Sequence, residues 1–315
     1  MKTREVVLGI DIGGTNTAAG LIDRNGEASF TCQYSTNSSK PIAYLLRQIF
    51  DVIQPELAGC TLRGVGVGAP NADYLNGTIV DPPNLEWDQV DLRSTMKEFT
   101  EQSVSVINDA NAAALGEALF GSAKKFRNFV QVTLGTGIGT GVILDGDLWH
   151  GTHGFAGEIG HSIVVPGGRL CSCGRQGCLE TYASARGLVQ NLLEQKPYFP
   201  ESKLLQMKQE GISASDIHDA AQVGDKAALA AFEMTGKHLG LALANATTLL
   251  DLEAFVLSGG VATSGEYLLE PVRRHFDDNL LDIYRGGVEV LLSSLTCTDA
   301  AVLGAAAFAW QELDN

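Results

Sequence analysis

Two stretches of this sequence repeat one pattern, and that repeat limits the fold more than any other feature. The first runs Val7-Leu8-Gly9-Ile10-Asp11-Ile12-Gly13-Gly14-Thr15 and continues through Gly20-Leu21-Ile22-Asp23-Arg24-Asn25-Gly26. The second runs Val130-Gln131-Val132-Thr133-Leu134-Gly135-Thr136-Gly137 and continues through Gly141-Val142-Ile143-Leu144-Asp145-Gly146. Each reads as an apolar strand, a Gly/Thr turn, a second apolar strand and a turn containing glycine. Asp11 and Thr133 take equivalent places in the two copies. Two similar α/β halves facing one another are the simplest arrangement that uses such a pattern twice.

A Gly/Thr turn exposes several backbone N–H groups with no Cβ in the way, which is how a chain wraps phosphate oxygens. Thr15, Thr136 and Thr140 could add hydroxyl donors. Asp11, at the mouth of the first turn, is placed to hold Mg²⁺ directly or through water, because Mg²⁺ prefers carboxylate, water and phosphate oxygens. Neither turn carries the lysine of a Walker A loop, and neither has the Gly-x-Gly-x-x-Gly spacing of a dinucleotide fold. Taken alone, each is equally a plain hairpin; the shared register favours phosphate binding. A third cluster, Leu257-Ser258-Gly259-Gly260-Val261-Ala262, follows the apolar run Ala254-Phe255-Val256. It suits either the flat face of a ligand such as adenosine or a tight strand-to-helix turn.

With 315 residues, 45% of them hydrophobic, the chain can build two domains of about 100–200 residues each. Its formal net charge of −15, from 22 Lys+Arg against 37 Asp+Glu, argues against nucleic acid or anionic membrane as the main partner. An anionic ligand needs its positive field supplied locally, by backbone N–H groups and a metal ion. The N-terminal Met1-Lys2-Thr3-Arg4-Glu5 runs straight into Val6-Val7-Leu8. That is too short for a signal peptide, and no run reaches the ~18 apolar residues of a membrane span, so a soluble cytoplasmic protein is expected. Of the six cysteines, Cys171, Cys173 and Cys178 cluster while Cys32, Cys60 and Cys297 are isolated. This distribution fits one metal site plus ordinary buried thiols better than a disulfide framework.

Val104-Ser105-Val106-Ile107 reads as a short buried strand that delivers Asn108-Asp109 to the start of the Ala-rich segment 110–118. Ligands of open α/β sheets bind beyond the carboxyl ends of strands. Asp109 is therefore a candidate activating carboxylate, able to accept a proton from an attacking hydroxyl. It is equally a candidate helix N-cap, and it could serve in both ways. In Asp81-Pro82-Pro83-Asn84-Leu85-Glu86-Trp87, the amide of Asn84 can donate to and accept from ligand hydroxyls. A purely structural turn is the competing reading.

The most specific motif is Gly157-Glu158-Ile159-Gly160-His161 followed by Cys171-Ser172-Cys173-Gly174-Arg175-Gln176-Gly177-Cys178-Leu179-Glu180. His161, Cys171, Cys173 and Cys178 supply one imidazole and three thiolates, a closed tetrahedral set typical of structural Zn²⁺. No position is left open for water, so the metal is assigned no catalytic role. If His161 ligates through one ring nitrogen, the other can bond a ligand hydroxyl. Glu158 and Glu180 flank the cluster, either as solvated surface carboxylates or, anchored by the metal, as further hydroxyl contacts.

On these residues the chain resembles the ROK sugar kinases and repressors, within the hexokinase/actin-like ATPase superfamily. The matching pieces are Asp11-Ile12-Gly13-Gly14-Thr15, Asn108-Asp109-Ala110-Asn111, Leu134-Gly135-Thr136-Gly137-Ile138-Gly139, the Gly157–His161 run and the Cys171–Glu180 run, with 257–262 and 300–307 extending the match. The resemblance implies an α/β fold of two actin-like (ribonuclease H-like) domains, mixed β-sheets flanked by helices, with a ligand cleft between them. It implies ATP and Mg²⁺ held by Asp11, Gly13, Gly14, Thr15, Asn16, Gly135, Thr136, Gly137, Gly259 and Gly260. Asp109 would take the proton from the 6-hydroxyl of a hexose as it attacks the γ-phosphate, while Asn84, Asn108, Glu158, His161 and Glu180 bind the other hydroxyls. A homo-oligomer, dimer or tetramer, is implied as well.

Two positions depart from the family's usual pattern. Asn16 stands where a lysine often follows the first Gly-Gly-Thr, which weakens the case for a cationic phosphate contact there. Asn71 stands where a glycine often follows Pro70. The Glu158-to-Glu180 pattern looks more like family members acting on glucose or N-acetylated hexosamines than like its fructokinases, whose cysteine spacing differs. Glucose is the expected substrate, with N-acetylmannosamine or N-acetylglucosamine as the alternative. A sugar-responsive repressor would carry an N-terminal helix-turn-helix, whereas here a phosphate-loop strand begins at Val6, and the acidic charge points the same way. A non-catalytic sensor would lack the base, yet Asp109 is present.

Strands are predicted at 6–11, 18–22, 28–33, 64–68, 104–107, 129–134, 141–144, 254–257 and 288–292. Helices are predicted at 42–53, 92–101, 110–119, 183–195, 226–249, 268–276 and 300–311, with a polar surface insertion at 197–200 and 203–211. The expected domains are 1–120 plus 299–315, the C-terminal helix returning to the first domain, and 121–298 with the zinc site.

Overall fold

The structure is a computed structural model that describes residues 3–82, 85–206 and 211–314. In chain order the first half contains β1 (Arg4–Ile12), β2 (Asn16–Ile22), β3 (Ala28–Ser35), α1 (Ile42–Glu56), β4 (Cys60–Ala69), the short strands β5 (Ala72–Asp73), β6 (Thr78–Val80) and β7 (Gln89–Asp91), α2 (Leu92–Met96), β8 (Ser103–Asn108) and α3 (Asp109–Leu119). There follow β9 (Phe129–Leu134), β10 (Ile138–Leu144), β11 (Asp147–Leu148), α4 (Glu180–Ala183), α5 (Ala185–Glu194), α6 (Lys203–Gln206), α7 (Ala214–Gln222), α8 (Lys226–Leu250), β12 (Ala254–Ser258), α9 (Glu266–Asn279), β13 (Glu289–Leu292) and α10 (Cys297–Asp314). Packing divides the chain into two compact units. Residues 1–125, 141–156 and 294–315 form the first; residues 126–140 and 157–293 form the second. Among the described residues no helix is long and apolar enough to cross a membrane.

The first unit is built on a sheet of order β3-β2-β1-β4-β8, antiparallel among β1, β2 and β3 and parallel from β1 through β4 to β8. Strand β1 is apolar on both faces, as a central strand covered on both sides must be. Alternate residues Val6, Leu8, Ile10 and Ile12 pack with Leu45, Leu46, Ile49 and Ile53 of α1. Burying each such side chain stabilises by about 1.5–3 kcal/mol. On the opposite face Val7 packs with Val302, Ala306 and Trp310 of α10. Gly9 and Gly66 are register partners on β1 and β4. A Cβ on Gly66 would lie 1.8 Å from the Ala305 carbonyl oxygen, and one on Gly9 would lie 2.4 Å from that of Val302. Two missing side chains thus let the α10 backbone lie directly on the sheet. Helices α3 and α10 approach just as closely: a Cβ on Gly304 would fall 1.6 Å from the Ala112 carbonyl oxygen.

In the second unit β9, β12 and β13 run parallel, within a sheet of order β11-β10-β9-β12-β13. Helices α8 and α9 pack through glycine on α8, where Gly236 and Gly240 meet the backbone at Pro271 and at Val272–Phe276. The single helix predicted over 183–195 is two helices. Ser184 is extended (φ −75°, ψ 173°) and its hydroxyl accepts from the Gly187 N–H, ending α4 and capping α5. The helix predicted over 92–101 stops at Met96. Helix α7 was not predicted, although its Ser213/Asp216 capping box is complete.

Candidate active site

In the first unit, sheet register sets the geometry. Asp11 on β1 is the partner of Gly68 on β4, and Gly68 is in turn the partner of Ile107 on β8, one residue before Asn108. Asp11 and the Asn108-Asp109 pair therefore emerge at the same carboxyl end of three parallel strands, where ligands of open α/β sheets bind. Gly68 lies between them: a Cβ there would press on the Ala112 methyl of α3 at 3.3 Å and stand at ordinary contact distance, 3.8 Å, from the Asp109 Cα and the Ile10 carbonyl oxygen. Burial first, and then the negative charge of Asp109, push the Asp11 carboxyl up to about 7. A divalent cation beside two such carboxylates would relieve both effects, so the donor set fits the Mg²⁺ expected at Asp11.

The helix-capping role falls to Asn108. Its Oδ1 accepts from the Ala110 and Asn111 N–H groups at 3.0 and 3.3 Å, while its backbone is extended. Asp109 is the first residue of α3, and its Oδ1 also accepts from the Ala110 N–H, at 2.9 Å. The N-cap reading of Asp109 is thus corrected: its neighbour caps the helix, because only Asn108 has the non-helical backbone a cap requires. Between β1 and β2 the Gly13 N–H donates to the Asn16 carbonyl at 3.0 Å, closing the turn tightly. A Cβ on Gly13 would come within 2.8 Å of that same oxygen. Thr15 and Asn16 are exposed on the turn, Gly14 half-buried. Asn84 lies outside the described residues.

In the second unit β9 ends in the Gly135-Thr136-Gly137 turn, closed by the Gly135 N–H donating to the Gly137 carbonyl at 3.0 Å. Gly259 follows β12 with φ +93°, a conformation that favours glycine. Its position for a Cβ is 2.5 Å from the Leu134 carbonyl oxygen, which also accepts from the Val261 N–H at 3.1 Å. The two glycine turns are therefore joined at Leu134, with open space at Gly260. Thr140, read as a possible hydroxyl donor, has its hydroxyl buried without a partner among the described residues.

His161, Cys171, Cys173 and Cys178 place one ligand atom each within 4.8 Å of one another. The Cys171 Sγ to His161 Nδ1 distance is 3.7 Å and the Cys173–Cys178 sulfur distance is 3.6 Å. A tetrahedron with Zn–S bonds of ~2.3 Å has edges of about 3.8 Å, so the four residues fit zinc. Tight backbone turns make the knuckle: the Cys171 N–H donates to the Arg175 carbonyl at 2.8 Å, and Gly174 and Gly177 take φ of +86° and +85°. The Arg175 guanidinium donates to the His161 carbonyl at 2.6 Å. With Nδ1 turned to the sulfurs, His161 Nε2 lies 3.9 Å from the Glu158 carboxylate, which is 63% exposed. Glu180 sits at the start of α4; its Oε2 accepts from the Ile138 N–H at 2.9 Å and its Oε1 is 3.9 Å from Cys171 Sγ.

Glu158, His161, Glu180, the three cysteines and the Gly135–Gly137 turn thus form one connected group, and Asp11, Asn108 and Asp109 form another. Sequence reasoning overlooked Gln131, which is buried on β9 and bonded to Thr133 and Ser258. The signal was available: a glutamine flanked by Val130 and Val132 within the buried strand Phe129–Leu134.

Sheet order, flanking helices and the paired glycine turns define an α/β protein of the actin-like ATPase class. The sequence pattern of the ROK family matches residues 7–312, and the chain belongs to that family. It is 36% identical to the glucokinase of Halalkalibacterium halodurans over 94% of this chain and 92% of that protein. It is similar in structure to a ROK family glucokinase from Streptomyces griseus solved with glucose and AMPPNP, with a TM-score of 0.80, 36% identity and coverage of 97% and 99% of the two chains. The xylose repressor of Bacillus spizizenii is 32% identical over 91% of this chain and 73% of the repressor.

Proposed function

We propose that this protein transfers the γ-phosphoryl group of ATP to the 6-hydroxyl of a hexose, glucose first. The observation that carries the reading is the placement of Asp109. Capping does not account for it, because Asn108 performs that job, and it stands beside Asp11 at the carboxyl end of the strands. Near-complete coverage by relatives named glucokinase supports the same reading.

In the proposed reaction a lone pair of the sugar O6 attacks the γ-phosphorus. The bond between that phosphorus and the β,γ-bridging oxygen breaks, ADP leaves, and the hydroxyl proton passes to the Asp109 carboxylate. Mg²⁺, when bound, neutralises charge on the phosphates, and Asp11 would hold it directly or through water. The backbone N–H groups of Gly14, Thr15, Asn16, Thr136 and Gly137 cradle the phosphates, while Gly13 and Gly135 use their own N–H groups to close the two turns, and Gly259 and Gly260 lie under the adenosine. Asn84, Asn108, Glu158, His161 and Glu180 bind the remaining sugar hydroxyls. His161 suits this task because its Nδ1 faces the sulfurs and its Nε2 faces Glu158. The zinc fixes this segment and takes no part in the transfer. The same reading includes a homodimer or homotetramer, which light scattering of the purified chain would decide.

The deciding experiment measures ADP release with Mg²⁺-ATP across glucose, mannose, fructose, N-acetylglucosamine and N-acetylmannosamine. Glucose is expected to give the highest kcat/KM. A preference for an N-acetylated hexosamine would replace glucose by the alternative substrate, and no turnover with any of them would remove the reading.

A further inference from the structure

We propose that Gln131 is a positioning residue for the nucleotide, acting through the hydroxyls of Thr133 and Ser258 beneath the two glycine turns. The inference rests on the reading above only in taking those turns as the seat of a nucleoside triphosphate. Thr133 and Ser258 are register partners on the parallel strands β9 and β12. Gln131 lies two residues before Thr133 and so on the same face of β9. Its side chain is fully buried, and Nε2 donates to Thr133 Oγ1 at 2.9 Å and to Ser258 Oγ at 2.7 Å. The two hydroxyls are 3.3 Å apart.

An amide in such a place costs free energy that an apolar residue would avoid, and its Oε1 has no partner among the described residues. Turning the amide over would leave two N–H donors unpartnered instead of one oxygen, so the orientation with Nε2 toward the hydroxyls is favoured. Both Nε2 hydrogens then end on hydroxyl oxygens, and the two hydroxyl hydrogens must go elsewhere. One of them closes the contact between Thr133 and Ser258. Ser258 is 5% exposed, whereas Thr133 is half-buried, so the serine donates inward and the Thr133 O–H is left as a donor at the end of β9. Leu134 and Gly135 follow it directly, and Gly259 follows Ser258. The network therefore sets the hydrogen polarity under both turns and presents one hydroxyl donor to a phosphate oxygen.

The test uses the full chain, with AMPPNP and Mg²⁺ as the probe, and reads binding by calorimetry together with thermal melting. Gln131→Met keeps the length, removes the donors and also removes the unpartnered oxygen. It is expected to weaken AMPPNP binding about 5–10-fold, the loss of roughly one hydrogen bond, with Tm unchanged or higher. Gln131→Glu keeps the shape but accepts from both hydroxyls and adds negative charge, so a larger loss, beyond about 30-fold, is expected. Thr133→Val should match Gln131→Met and guards against a glutamine variant that does not fold. An AMPPNP Kd unchanged in all three variants would overturn the proposal. So would losses of affinity that track falls in Tm, the mark of a merely structural role. Because binding is the readout, the outcome is decided whether or not the wild-type chain phosphorylates any hexose.

Discussion

One Glu180 carboxylate oxygen accepts a hydrogen bond from the Ile138 backbone N–H at 2.9 Å, and the other lies 3.9 Å from the Cys171 sulfur. One side chain thus touches both the strand after the Gly135–Gly137 turn and the cluster of His161 and the three cysteines. A Cβ on Gly137 would come 2.5 Å from the same carboxylate, so the turn is glycine partly to make room for it. Shortening this link should loosen the turn. Glu180→Ala is expected to raise KM for both sugar and ATP, whereas Glu180→Gln, whose amide oxygen can still accept from Ile138, should raise mainly the sugar KM. Steady-state kinetics with each substrate varied in turn checks this, and identical profiles for the two variants would contradict it.

Zinc should be held stoichiometrically. Elemental analysis is expected to find about one zinc per chain, and Cys173→Ser or prolonged chelation should lower Tm by at least about 5 °C, or ~2 kcal/mol for a domain of this size. Cys173 is exposed, so the substitution removes a ligand with little loss of packing. An active, zinc-free protein whose Tm the serine leaves alone would refute the site.

Packing at the glycine pair on β1 and β4 gives a stability prediction. Gly66→Ala must move a carbonyl oxygen that now lies 1.8 Å from where its methyl would go. Overpacking of this kind costs about 1–3 kcal/mol or more. Chemical denaturation should show a lower midpoint with little change in slope, and a midpoint equal to wild type would show that α10 is not seated as described.

Much of this was legible in the sequence because the apolar runs are long and the turns carry glycine. Strand β9 was read to the residue, and β1 differed only at its ends. The break at Ser184 was not legible, since Ser184 stands between Ala183 and Ala185, two good helix formers, and its hydroxyl cap appears only in three dimensions. Nor could sequence say which of Asn108 and Asp109 caps α3, because both are good caps and backbone conformation decides. Spacing alone assembled His161 and the three cysteines, but not which imidazole nitrogen faces them. The role of Gln131 was hidden because Ser258, one of its two partners, lies on another strand far along the chain.

Acid should act partly through His238. Burial first, and then the positive charge of Lys237, lower its pKa to about 4, and its ring packs against Tyr182 at 4.4 Å. A folded-state pKa below the unfolded value near 6.5 means the unfolded chain takes up the proton first. The stability this neutral ring contributes is present above pH 6.5 and is lost as pH falls from there towards 4. Tm measured from pH 7 to 5 should fall less steeply in His238→Gln than in wild type. Burial also lowers the pKa of His150, so some slope will remain; parallel curves would show that His238 is solvated.

The central claim is that Asp109 accepts the proton from the attacking hydroxyl. Glucose binding and ATP turnover of Asp109→Asn, compared with wild type under the same conditions, test it most directly. The expected result is a glucose Kd within about threefold of wild type and a kcat lower by ~10²–10⁴-fold, the usual worth of general-base assistance. Turnover undiminished in the asparagine variant would contradict the account.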